Sequence, residues 1–292
     1  MPDLEVELAL DVGAELGEAP CWDSGAQLLL WVDITAGIVH RFDPAHGGDE
    51  TFDVGQPVGA AVPTESGQIA LAVSDGFSLL DVRTGRVDRV ADVDRDVSGT
   101  IVNDGKCDPA GRFWAGTRDV EGREPTGSLY RLDADHRVTR VVSGVTLSNG
   151  LGWSPDRRTM YYIDSTTYGI GAFEFEISTG DLSGRRRLVD LPREWGLPDG
   201  MTVDEEGCIW LAFWGAASLR RFDAEGRLIA IVDLPVRQVT SCAFGGDDLS
   251  YLYVTSARGG LSPDELREQP HGGGLFRLRP GVRGLPSHPF AG

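Results

Sequence analysis

One pattern recurs six times along the 292 residues and limits what the chain can become. In "SNGLGWSPDRRTMYYID", with Asn149 as position zero, an apolar residue follows at plus four (Trp153), then a turn at Pro155-Asp156-Arg157-Arg158, then a strong β-run. The same frame fits "EAPCWDSGAQLLLWVD" from Glu18, "NDGKCDPAGRFWAGT" from Asn103 and "DGMTVDEEGCIWLAF" from Asp199. Weaker copies start at Val58 ("VGAAVPTESGQIALAV") and Thr240 ("TSCAFGGDDLSYLYV"). The zero positions are spaced by 40, 45, 46, 50 and 41 residues. A third run follows in each copy, such as "GIVHRFDP" or "GSLYRLD", and then a short apolar stretch such as "RLVDLP" or "AIVDLP".

Four short antiparallel strands in a unit of this length describe a propeller blade. The expected fold is therefore all-β: a six-bladed β-propeller of four-stranded antiparallel blades, forming a single domain over residues 1–292. The N-terminal "LEVELALDV" precedes the first complete unit, so it is expected to supply the outer strand of the last blade. That closes the ring and removes an exposed sheet edge.

Composition narrows the partners. A net charge of −18, with no basic cluster beyond Arg185-Arg186-Arg187, argues against nucleic acid, which needs a basic face. An acidic protein gathers cations and repels anions, which suits a neutral substrate and an anionic product. No apolar run approaches the ~20 residues of a membrane helix, and the start of the chain has no secretory pattern. Cys21, Cys107, Cys208 and Cys242 show neither C-x-x-C nor zinc-ligand spacing, and read as buried free thiols in a cytoplasmic protein. Trp22, Trp31, Trp114, Trp153 and Trp210 fall in strand frames and read as core.

In a propeller the first strand of each blade lines the central channel, so the zero positions converge on one small volume. They are Glu18, Val58, Asn103, Asn149, Asp199 and Thr240. Asn-Gly and Asp-Gly are also strong turn dipeptides, so "SNG" and "PDG" could each mark a chain reversal. The near-constant interval before each β-run favours convergence. Two buried carboxylates, Glu18 and Asp199, would repel unless a cation lay between them, and no basic residue occupies a zero position. Carboxylate and amide oxygens suit hard ions, Ca²⁺ first, then Mg²⁺ or Mn²⁺; Zn²⁺ or Fe²⁺ can enter the same site. Asn149, with Asn103 as a further candidate, would add carbonyl oxygens.

These motifs carry a family resemblance. "GEAPCWD", "VNDGKCDPAGRFWAGT", "LSNGLGWSPDRRTMYYIDS", "LPDGMTVDEEGCIWLAFWG", "TSCAFGG" and the terminal "GVRGLPSHPFAG" resemble the regucalcin/gluconolactonase (senescence marker protein) family from residue 17 to the end of the chain. The resemblance implies a six-bladed propeller that hydrolyses a sugar lactone with one divalent metal. It implies Glu18, Asn149 and Asp199 as metal ligands, with Asp199 also the general base and then the proton donor. It implies substrate contacts at Asn103, which touches the metal in some relatives, and at Glu121. One position departs: animal members carry an arginine two residues before Asn103, where this chain has Ile101. The lactone is therefore not fixed by the resemblance.

Three other activities fit the same frame. The metal constellation could hydrolyse organophosphates, because a Lewis acid serves P=O as well as C=O. The chain could be a calcium-binding regulator, or an interaction propeller whose channel residues are structural. A nucleophilic-serine hydrolase finds no support, for lack of a G-x-S-x-G elbow.

Overall fold

The computed structural model describes residues 4–94, 97 and 99–292. Among these the chain forms six sheets of four antiparallel strands. Five sheets follow sequence order, and the sixth places Val6–Leu10 outside Leu275–Leu278. The N-terminal segment thus supplies the outer strand of the last blade, as expected. The inner strands are Gly17–Asp23, Val58–Pro63, Thr100–Cys107, Ser148–Trp153, Leu197–Val203 and Val239–Gly245. Each packs on the inner strands of both neighbouring blades, so the ring is closed.

Burial falls off from the axis outward, which explains why some copies read more clearly than others. Val58–Pro63 is buried at every position, whereas outer strands such as Leu228–Asp233 alternate buried with exposed. An inner strand lies between two blades and loses the period-two signal of a half-buried strand. Trp22, Trp31, Trp114, Trp153 and Trp210 are all core residues, and all four cysteines are buried and unpaired.

Two buried carboxylates hold the turns at the lower face. The Asp204 side chain, 0% exposed, accepts from the Glu206 and Cys208 backbone N–H groups, the Trp210 indole and the Arg221 guanidinium. Asp108 does the same for Ala110, Arg112 and Trp114. A buried acid with a full set of donors orders the hairpin and orients the tryptophan that fills the blade. The C-terminal segment then straps this face: Phe290 N–H donates to the Pro63 carbonyl, and the Phe290 ring is fully buried near Phe113.

Removing one partner of such a network leaves the others buried without acceptors. Asp204→Ala is therefore expected to cost about 3–5 kcal/mol, read as a lowered urea midpoint. Replacing Asp88, in an exposed pair with Arg86, is expected to leave the midpoint in place.

Candidate active site

Every inner strand carries one extra residue at its zero position. The pairing with the second strand slips between Glu18 and Cys21, Val58 and Ala60, Val102 and Gly105, Ser148 and Leu151, Pro198 and Met201, and Val239 and Ser241. A β-bulge bends its strand and re-aims a side chain. Here six bulges act at one level of the ring, so the zero positions lie in strands and not in turns. The glycines that follow serve close approach: a Cβ on Gly59 would lie 2.5 Å from the Asn103 carbonyl, and one on Gly150 2.8 Å from the Asp199 carbonyl. Neither of these glycines, nor Gly200, has the left-handed φ of a hairpin turn.

The bulges gather a buried polar cluster. Glu18 is 3% exposed, Asn149 3%, Asp199 6% and Asn103 7%. The approaches are held by further acids: Asp33 accepts from Glu15 and Leu16 N–H ahead of Glu18, and Asp164 from Thr146 and Leu147 N–H ahead of Asn149. The remaining two zero positions are structural. Val58 is fully buried, and the Thr240 hydroxyl donates 2.6 Å to the Gly17 carbonyl, tying the sixth blade to the first.

Glu18, whose Oε2 accepts from the Ala19 N–H at 2.8 Å, and Asp199 are buried on inner strands of the same channel and perturb one another. Burial pushes the Glu18 carboxyl well above the usual carboxylate range, and the charges of Asp199 and Asp104 push it further. Asp199 is raised chiefly by burial and then by Asp104, against hydrogen bonds from Asn149 and the Gly200 N–H. Two buried acids raised in this way are the kind of pair that a nearby positive charge would lower again.

The two asparagines differ. Asn103 is satisfied at both ends: its Nδ2 donates to the Ser148 carbonyl at 2.8 Å, and its Oδ1 accepts from Arg118 Nε at 3.2 Å. Asn149 donates from Nδ2 to the Ser165 hydroxyl at 3.0 Å, while its buried Oδ1 has no partner. An amide oxygen buried without a donor beside two carboxyl groups is the arrangement a hard cation satisfies. Among the described residues, no three His, Cys, Asp or Glu side chains form a metal-holding group of their own. The donor set that fits a cation is two carboxylates and an amide.

Glu121 is not part of this cluster. It stands on the loop after the second strand of the third blade, on the same face, with its side chain 70% exposed beside Arg123. Two site residues escaped the sequence frame. Arg118 lies opposite Ile101 across the strand pair and brings a guanidinium to Asn103, so a cation reaches this corner of the site although no zero position is basic. Asp104, 3% exposed, adds a third carboxyl, pushed up to about 6 by burial while Lys106 pulls it back. A signal for Asp104 was present: the residue after position zero is Ala, Gly or Ser in the other five blades.

The chain matches the family model described as SMP-30/Gluconolactonase/LRE-like region over residues 16–258. The chain belongs to that family. Among curated members, regucalcin of Gallus gallus is 41% identical over 100% of both chains. Among solved structures, a calcium-binding protein, regucalcin, from Agrobacterium tumefaciens superposes with a TM-score of 0.94 at 28% identity, covering 99% of this chain and 98% of that one. A luciferin-regenerating enzyme superposes with a TM-score of 0.91 at 31% identity, covering 99% of each. The family's structures thus share the whole ring with this chain.

The raised carboxyls link the site to stability. On chelator-treated protein the folded state keeps protons on Glu18 and Asp199 that the unfolded chain releases above about pH 4. The stability tied to those protons is complete below that pH and is lost as the pH rises toward the raised folded-state values. A saturating divalent cation should remove the loss. Thermal melts of the parent and Glu18→Gln from about pH 4 to 8, with and without Ca²⁺, check this. The metal-free parent should decline most steeply, and equal slopes in both proteins would refute the linkage.

Proposed function

We propose that the protein is a divalent-metal-dependent lactonase that opens a sugar lactone to the aldonic acid. The observation that carries the reading is the buried trio of Glu18, Asp199 and the unpartnered Asn149 Oδ1 on the channel axis. Those three side chains would hold the cation, with Ca²⁺ the first candidate. The calcium-binding description of the Agrobacterium regucalcin supports that choice. A bound divalent cation supplies Lewis-acid polarisation of the lactone carbonyl and offsets the charge that develops on its oxygen.

The protein's own groups do the rest. Asp199 takes a proton from the attacking water and returns it to the departing ring oxygen. Its position, buried on the inner strand of the fifth blade beside Glu18 and Asn149, supports that role. Asn103, held rigid by Arg118 and the Ser148 carbonyl, and Glu121 on the rim would contact the sugar hydroxyls. Arg118 brings a cation beside Asn103 from the strand next to Ile101. This supports a polar substrate, held differently from the way the animal members hold theirs. The four unpaired buried thiols support a cytoplasmic setting. Among the described residues no helix is long and apolar enough to cross a membrane.

The test is proton release from a panel of five- and six-membered aldonolactones. It uses chelator-stripped protein with Ca²⁺, Mg²⁺, Mn²⁺, Zn²⁺ or Fe²⁺ restored singly. Activity is expected to vanish on stripping and return with a divalent ion. Asp199→Asn should lower kcat by roughly 10²–10⁴-fold. Glu18→Gln and Asn149→Leu should instead raise the metal concentration needed for half-maximal activity. No lactone opened with any ion would sink the reading, and the same preparations would then be assayed on a phosphotriester.

A further inference from the structure

The channel has a second mouth. At plus three from the zero positions the six blades carry Cys21, Ala61, Lys106, Gly152, Thr202 and Ala243, five small residues and one long one. Three residues of strand span roughly 10 Å, so this level lies well away from Glu18, Asn149 and Asp199. A cavity of about 130 Å³ opens there. Five of the inner strands contribute to its wall, and the C-terminal segment closes one side with Leu285, Pro286, Ser287 and His288. Trp153 and Phe244, at plus four in their blades, supply aromatic surface. An apolar cavity of about 150 Å³ admits benzene. This one therefore takes a single small ring or a short chain.

The charge of the cavity is unlike that of the molecule. The chain has 45 acidic residues against 27 basic ones, yet among the described residues no Asp or Glu lines this cavity, whereas Lys106, Arg157 and His288 do. Lys106 is the only lysine in the chain. It is half-buried, and its Nζ is held in place by donating at 2.7 Å to the Met201 carbonyl, reaching from the inner strand of the third blade to that of the fifth. An ammonium carries three N–H donors, and among the described residues Lys106 uses one. Trp153 is 6% exposed, and its indole N–H has no acceptor among the described residues. The acids on either side of Lys106 do not supply one. Asp104 accepts from the Gly105 N–H, and Asp108 is taken up by Ala110, Arg112 and Trp114. Buried donors without acceptors favour a ligand that brings oxygens, and an ammonium favours charged ones.

We propose that the lower mouth of the channel is a binding site for a small organic monocarboxylate, with its carboxylate on Lys106 and its apolar body against Trp153, Phe244 and Pro286. The volume sets the size of that body, and the net charge of −18 disfavours a ligand with several negative charges. The site is separate from the proposed metal centre and does not depend on it.

Benzoate probes the site, with benzamide as an uncharged counterpart of nearly the same shape. Ligand-observed NMR titrations are run without divalent ions, so that no bound cation draws the carboxylate to the other end of the channel. They compare the parent, Lys106→Met, Ser287→Trp and Glu18→Gln. The parent is expected to bind benzoate roughly tenfold or more tightly than benzamide, as one hydrogen bond to a charged group predicts. Lys106→Met should abolish that preference. Ser287→Trp, which fills the cavity from the C-terminal segment, should weaken both ligands, and Glu18→Gln should bind as the parent does. If Lys106→Met does not fold, Ser287→Trp still reads the site, because it leaves the inner strands untouched. A parent that fails to bind benzoate, or binds the two ligands equally, would overturn the proposal. So would binding that is lost in Glu18→Gln and kept in Lys106→Met, which would place the ligand among the acids at the other mouth.

Discussion

Two carboxyl groups held against each other in a closed ring are the constraint around which the protein is organised. Glu18 and Asp199 come from the first and fifth blades, and neither can retreat, because each sits on a bulge wedged between two neighbouring inner strands. In water such a pair would ionise and separate. Here burial raises both carboxyls above the usual carboxylate range, and the Asp199 charge raises Glu18 further.

The fold creates that conflict by repetition. A bulge at one register in every blade turns six separate side chains toward one axis. Small residues one position later let adjacent blades close to backbone contact. Asp33 and Asp164 then fix the approaches to Glu18 and Asn149 by accepting backbone N–H groups. Asp108 and Asp204 play the corresponding part at the far end of the inner strands, where they anchor Trp114 and Trp210. The structural acids are saturated with donors, whereas the acids on the axis are not. That difference separates the groups that hold the ring from those that can do chemistry.

Much of this was legible in the chain. The spacing of the zero positions and the leftover N-terminal run implied the blade number and the closure, because a propeller must repeat at a fixed interval and must hide its edge strands. The same frame picked out Glu18, Asn103, Asn149 and Asp199 together. It did not separate the two asparagines, since only the hydrogen bonds from Arg118 and to Ser148 show that Asn103 is already satisfied. Arg118 was missed because it lies on a second strand, outside the register being compared. Asp104 is the one residue after a zero position that is not Ala, Gly or Ser, but "NDG" also reads as a turn.

The sequence by itself determined the architecture, the residues that face the axis and the chemical type of their donors. Periodicity is a local property, and the chain states it six times over. Only the tertiary structure decided which of those donors are free and which charges are buried together. Those are properties of distance and burial. They arise when the first, third, fourth and fifth blades meet, and no stretch of chain contains more than one corner of that meeting.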